Sequence, residues 1–222
     1  WLSSIAHEAG ARHVVVAHTA DDQAETILHR VLRGTGVGGL AGMKPSRRLV
    51  EGVALVRPLL AVRRAHVRAY LEDRGQTWRE DESNSDPRFA RSVLRTEIIP
   101  RVEAGAWPGA TDALVRLATQ AARLSGALES AANHLLDRHS HRLPDGAVTL
   151  DAAAFRGLDR HLLAEVCAAV WRREEWPCRD MTALHYAEVA GMLTAAGADG
   201  VGPTKACLPG GIVATVTAPG SL

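Results

Sequence analysis

Three consecutive valines, Val14-Val15-Val16, stand between a helical pattern in residues 1–9 and a second one that opens near Asp21. A strand that is apolar at every position shows hydrophobic side chains to both faces of its sheet, so both faces need covering, as in a parallel sheet with helices on either side. The flanking patterns supply such helices: Trp1, Leu2, Ile5, Ala6 and Ala9 share one helical face. From Asp21 to Arg33, the residues Ala24, Ile27, Leu28, Val31 and Leu32 predict a buried stripe, which puts Asp22, Glu25, His29 and Arg33 on the opposite, exposed face. A glycine-rich loop, Gly34 to Gly42, precedes a second strand at Val53–Val56 and an amphipathic helix from Val62 to Arg74, ended by Gly75. This alternation predicts a doubly wound α/β sheet.

A further helix is expected from Arg88 to Ile99, stopped by Pro100, and the stretch Gly105 to Gly109 with Trp107-Pro108 reads as a linker. Beyond it the character changes. Helical patterns cover residues 110–138, 158–173 and 180–193, the last with Asp180 as N-cap, and Pro209-Gly210-Gly211 between two short apolar runs predicts a terminal hairpin. The expected organisation is an α/β domain over residues 1–105 and a mainly helical one over 110–222.

Composition excludes several classes. No apolar run is long enough to span a membrane and no signal-like segment opens the chain, so a cytoplasmic location is expected. Cys167, Cys178 and Cys207 form no Cys-x-x-Cys pair, which argues against a zinc ribbon, a redox pair or a disulfide framework and predicts small buried hydrophobes. Trp1 sits inside a helical pattern, so the natural N-terminus is expected to lie upstream. Residues 1–105 carry 16 Lys and Arg against 13 Asp and Glu, and Lys44 and Lys205 are the chain's only lysines. Arginine's planar fork suits phosphate.

Three windows carry candidate chemistry. His18-Thr19-Ala20-Asp21-Asp22-Gln23-Ala24-Glu25-Thr26 lies where the first strand meets its helix, at the carboxyl end of a strand, where open α/β sheets bind ligands. Acidic residues in a first turn also answer the helix dipole, and Asp22-x-x-Glu25 loosely resembles a capping box, so caps alone account for the carboxylates but not for His18. Helix-borne metal pairs place histidines at i, i+4, and no second histidine does so here. Arg33-Gly34-Thr35-Gly36 opens a loop that either admits a ligand to the backbone or merely caps a helix; it follows a helix, not a strand, and is no dinucleotide fingerprint. Finally, Arg88, Arg91 and Arg95 follow Pro87 at spacing i, i+3, i+7, a row suited to phosphates or to a solvated face balanced by Asp81, Glu82 and Asp86.

Together with Arg57-Pro58-Leu59-Leu60 and the run from Glu80 through Asn84 to Arg95, these windows resemble the tRNA(Ile)-lysidine synthetase family of PP-loop ATP pyrophosphatases. The similarity covers roughly the first hundred residues closely and the helical part loosely. It implies a Rossmann-like PP-loop domain of the adenine nucleotide alpha hydrolase type, lacking its first strands, followed by a helical tRNA-contacting domain. It also implies a reaction: ATP adenylates C2 of the wobble cytidine of a tRNA(Ile) with a CAU anticodon, and the amine of free L-lysine displaces AMP to give lysidine. ATP and Mg2+ are the implied cofactors, with no Mg2+ ligands recognisable. By the same resemblance Asp22 and Glu25 would hold the amine and accept its proton, and His18 would position the nucleotide or relay the proton. Arg33, Gly34 and Gly36 would meet the nucleotide, and Arg57, Asn84, Arg88, Arg91 and Arg95 would meet tRNA or phosphate. Two departures stand out. The family's Ser-Gly-Gly-x-Asp-Ser phosphate loop is absent from this sequence, so the polypeptide alone is expected to be inactive, and Ser92 stands where the family usually has Asn. The alternatives are another PP-loop tRNA modifier, disfavoured by the lack of a cysteine pair, and a non-catalytic RNA-binding derivative. Oligomeric state is not legible.

Overall fold

The computed structural model describes residues 1–79, 86–197 and 205–217. The chain divides into two compact units, Trp1–Ser125 and Gly126–Leu222.

In the first unit α1 (Leu2–Glu8) leads into β1 (His13–Val15), and α2 (Ala20–Leu32) follows with a short α3 (Val37–Leu40). Next come β2 (Ser46–Val50), β3 (Val53–Val56) and α4 (Arg64–Asp73), then α5 (Ala90–Val93), a π-helical stretch (Leu94–Ile98) and α6 (Ile99–Ala104). The sheet has the order β1-β3-β2, with β1 parallel to β3 and β2 antiparallel to it. Strand β2 was not foreseen: Arg47 and Arg48 interrupt its apolar pattern, and it pairs across the two-residue turn Glu51-Gly52. The α/β expectation stands, with an antiparallel edge added.

The reading of a first strand buried on both faces needs correcting. Strand β1 lies at an edge of the sheet, and Val15 is 64% exposed. Ala24 and Ile27 of α2 are fully buried, and Val53, Leu55, Leu60 and Leu94 belong to the same unit's apolar core. Leu32, expected in the buried stripe, is exposed, whereas Asp22 and Glu25, expected outside, are buried. The start of α2 buries charge and its last turn exposes leucine.

The expected stop at Pro100 also fails. Pro100 sits in the first turn of α6, where the missing N–H is harmless, and the preceding π turn joins α5 to α6 with Ile99 N–H reaching the Leu94 carbonyl five residues back.

Helix α7 (Ala110–His139) begins in the first unit, and the second contains its C-terminal part from Gly126 on, the hairpin β4 (Ser140–Arg142) and β5 (Val148–Leu150), α8 (Arg160–Arg173), α9 (Ala183–Gly197) and the hairpin β6 (Lys205–Leu208) and β7 (Ile212–Thr215). Leu136, Phe155, Leu163, Val166 and Trp171 form its core with Val189, Ala190 and Leu208. Trp171 meets Trp176 and Tyr186 edge-on, with ring centroids 4.9 and 5.8 Å away. Helix α9 begins three residues after Asp180, which therefore does not cap it; the Thr182 N–H donates to His185 Nδ1 instead. Of the cysteines only Cys167 is buried, and Cys178 and Cys207 are exposed. Among the described residues no helix is long and apolar enough to cross a membrane.

Candidate functional site

The site begins with a cap. At Thr19 the backbone is still extended, and its N–H and hydroxyl donate to Asp22 Oδ2 over 2.8 and 2.7 Å while the Asp22 N–H returns a bond to Thr19 Oγ1 at 3.4 Å. This is a reciprocal capping box, one turn earlier than the Asp22–Glu25 pairing suggested. It commits one carboxylate oxygen of Asp22 locally and leaves Oδ1 for partners from other elements.

Those partners are three arginines. Arg64 Nη2 donates to Asp22 Oδ1 and Glu25 Oε1, both at 3.1 Å. Arg95 reaches Asp22 Oδ1 at 2.8 Å, Glu25 Oε1 at 2.8 Å and Glu25 Oε2 at 2.9 Å. Arg91 reaches Glu25 Oε2 at 3.1 Å and Asp22 Oδ1 at 3.4 Å. The Glu25 side chain is only 2% exposed, which is tolerable because both its oxygens accept from guanidiniums. Arg64 was missed in the sequence because nothing in its local pattern marks it. Its place follows from the start of α4, whose Arg64 N–H donates to Asp21 Oδ2 at 2.6 Å and so ties α4 to the first turn of α2. Arg63 beside it pairs with Asp21 and Asp112, and a cavity of about 160 Å³ opens between these groups, Glu25, Arg95 and Glu103.

Burial pushes the Asp22 carboxyl upward, but the Thr19 donors and the charges of Arg64 and Arg95 outweigh it and hold it below its ordinary value. For His18 burial is also the first cause, and it lowers the imidazole; Arg57 and Arg91 push the same way and Asp22 opposes them. Arg57 Nε donates to His18 Nδ1 at 3.2 Å and Arg57 Nη1 to the Lys44 carbonyl at 2.8 Å. With Nδ1 accepting, the neutral ring carries its proton on Nε2.

The structure thus brings His18, Asp22, Glu25, Arg57, Arg91 and Arg95 into one neighbourhood at the carboxyl ends of β1 and β3. The arginine row does not hold as a row. Arg88 precedes the helix, which starts at Ala90, and its guanidinium chelates Asp86 at 2.6–3.0 Å on the surface. Arg33, exposed at the C-cap of α2, lies eight residues past Glu25, roughly 12 Å along the helix, with Gly34 and Gly36 beyond it. The far end of that loop is fixed instead: Arg30 donates to the carbonyls of Gly39 and Gly42, Gln23 brackets Met43, and a side chain at Gly42 would strike Gln23. Asn84 lies outside the described residues.

The donor set bears on the implied Mg2+. Asp22 and Glu25 spend every carboxylate oxygen on guanidiniums or Thr19, and no group of three His, Cys, Asp or Glu among the described residues is arranged to hold a metal. This carboxylate pair does not fit a divalent cation. Two carboxylates against three guanidiniums leave an excess positive charge, which fits a phosphate far better.

Comparison with known proteins finds relatives for the chain. The PP-loop domain description matches residues 1–102. Over 210 residues the chain is 32% identical to the tRNA(Ile)-lysidine synthase of Rhodopirellula baltica, covering 87% of this chain and 53% of that protein. It is 46% identical over 129 residues to the enzyme of the same name from a Bradyrhizobium species, covering 58% of this chain and 35% of the relative. In Salinispora arenicola the corresponding figures are 38% over 178 residues, 78% and 50%. The chain therefore spans about half or less of the length of these relatives. With the matched domain, the shared sequence and the α/β architecture together, residues 1–102 are a PP-loop domain, and the chain as a whole is similar to the tRNA(Ile)-lysidine synthases.

Proposed function

We propose that the protein containing this chain carries out the reaction for which its relatives are named, ATP-dependent joining of L-lysine to the wobble cytidine of an isoleucine tRNA. The observation that carries this reading is the convergence of Asp22 and Glu25 with Arg64, Arg91 and Arg95 beside the His18–Arg57 pair. The reaction needs an anionic place for a substrate ammonium next to a cationic place for phosphate, and these groups supply both.

ATP, when bound, supplies the adenylyl group that activates the cytidine. Phosphate charge is met by Arg91, with Arg57 bonded to His18; the Gly34–Gly36 segment is open enough to approach a nucleotide. Glu25 and Asp22 receive the lysine ammonium and orient the amine. Asp22, held below its ordinary pKa, is a poor proton acceptor, so His18 is assigned that step. Burial keeps the imidazole neutral near pH 7, and it takes the proton at Nδ1 once Arg57 turns away from that atom.

The test is lysine incorporation into a cytidine-34 isoleucine tRNA by the full-length protein. Asp22→Asn and Glu25→Gln are expected to abolish incorporation while tRNA affinity stays within a few fold of the unmodified protein. Unchanged turnover in both variants removes the carboxylate pair from the mechanism. A full-length protein that binds the tRNA but never incorporates lysine refutes the enzymatic reading and leaves an RNA-binding protein.

A further inference from the structure

The carboxylate pair is already full. Asp22 Oδ1 accepts from all three arginines, Oδ2 is used by Thr19, and each oxygen of Glu25 accepts from two guanidinium nitrogens. A carboxylate oxygen has two lone pairs, so an incoming ammonium finds no free acceptor, and a fourth cation would raise the local positive excess further. If this pair receives an amine, as proposed above, one guanidinium has to leave.

The three arginines are not equally held. Arg64 is 29% exposed, and its own backbone N–H is pinned to Asp21; Arg95 is 22% exposed and makes the shortest contacts, 2.8–2.9 Å. Arg91 is 45% exposed, and its bonds to Glu25 and Asp22 include the longest of the cluster, 3.1 and 3.4 Å. It projects from α5, a single turn of helix, with its charge felt at His18. We propose that Arg91 is the exchangeable cation of the site: in the unliganded protein its guanidinium stands where the substrate ammonium comes to rest on Glu25 Oε2 and Asp22 Oδ1, and it swings out as the amine enters. The exchange conserves charge. Without Arg91 the two carboxylates face Arg64 and Arg95 alone, and the ammonium restores the count to three cations.

The released guanidinium needs a partner, and at this site the available one is a phosphate of the bound nucleic acid. Amine binding and tRNA binding are then coupled through one side chain, and the coupling works equally in both directions. The protein takes up free lysine weakly until tRNA draws Arg91 away, so the amine is held only when there is a base to receive it.

Equilibrium dialysis of labelled L-lysine against the full-length protein, without ATP, tests this. With the cytidine-34 isoleucine tRNA present, the unaltered protein should bind lysine about tenfold more tightly than without it, the equivalent of one charge-assisted hydrogen bond. Arg91→Ala should bind lysine about tenfold more tightly without tRNA and gain nothing when tRNA is added. Arg91→Lys, which keeps the charge but cannot span both carboxylates, should fall between. Arg95→Ala serves as the contrast: Arg91 still stands on Glu25 Oε2 and Asp22 Oδ1, so the gain in lysine binding on adding tRNA should persist. An Arg91→Ala protein, folded by circular dichroism, with unaltered or weaker lysine affinity and a persisting tRNA effect overturns the exchange. Lysine incorporation by the unaltered protein, measured alongside, keeps that failure distinct from a failure of the proposed function.

Discussion

Two buried clusters, one in each compact unit, are built on opposite principles. Around Phe155 the second unit packs Leu136, Leu163, Val166 and Trp171 with no charge among them. Around Glu25 the first unit buries carboxylates against three guanidiniums, in a segment whose sequence had suggested an exposed polar face. Apolar burial is favourable in proportion to area and tolerates repacking. A buried ion cluster roughly breaks even against an apolar one of the same volume, and it becomes costly when one member is removed. A cluster that adds little stability but fixes the directions of Asp22, Glu25, Arg64, Arg91 and Arg95 is placed where binding requires it.

The sharpest way to break this contrast is to truncate one member of each. Phe155→Ala should cost about 4 kcal/mol, from lost burial plus the cavity left behind. Glu25→Gln should cost about 3 kcal/mol, less because Arg91 and Arg64 can turn their partly exposed heads to water. Urea unfolding measures both. In Glu25→Gln the loss should also shrink with an added Arg91→Ala, since that removes one of the cations left unpaired. Phe155→Ala should show no such compensation. If Glu25→Gln is neutral by itself, the cluster is solvated, and its burial in the fold is not an energetic fact.

How much of this was legible follows from what each signal reports. Strand β3 and the helices α2, α4, α7 and α8 were readable within a few residues because apolar periodicity is local. The hairpin β6–β7 was readable because Leu208-Pro209-Gly210-Gly211 spells a turn. Strands β2 and β4 escaped because Arg47, Arg48, His141 and Arg142 occupy them, and their pairing is fixed by a partner strand instead of their own pattern. At the site the residue types were visible, and so was the placing of the Asp22–Glu25 window at the carboxyl end of a strand. Two things were not. The burial of Glu25 depends on α4 and α5 closing over α2, across separations of 39 to 70 residues. Arg64 owes its position to an N–H bond from the start of α4 to Asp21, which no short motif encodes. The misreading of Arg88 has the same origin: spacing put it on a helix that begins only at Ala90.

The smallest expected effect isolates what the cap contributes to the charged cluster. Thr19→Ala deletes the hydroxyl that donates to Asp22 Oδ2 and accepts from the Asp22 N–H, and loss of such a cap should cost about 1 kcal/mol near neutral pH. The folded protein depresses the Asp22 pKa, so the stability Asp22 lends is fully present above its unfolded value, about 3.9, and disappears as pH falls through the lower folded value. Thr19 supplies part of that depression, so in Thr19→Ala the folded value should rise toward the ordinary one and the acid-induced loss should be smaller and complete at a higher pH. Urea midpoints of both proteins from pH 7 down to pH 3 would show the gap between them closing in acid. A gap of constant size across that range would mean that Thr19 stabilises the helix through a neutral bond alone. Asp22 would then owe its ionisation to the arginines, and the charged cluster would be self-sufficient instead of anchored by the first turn of α2.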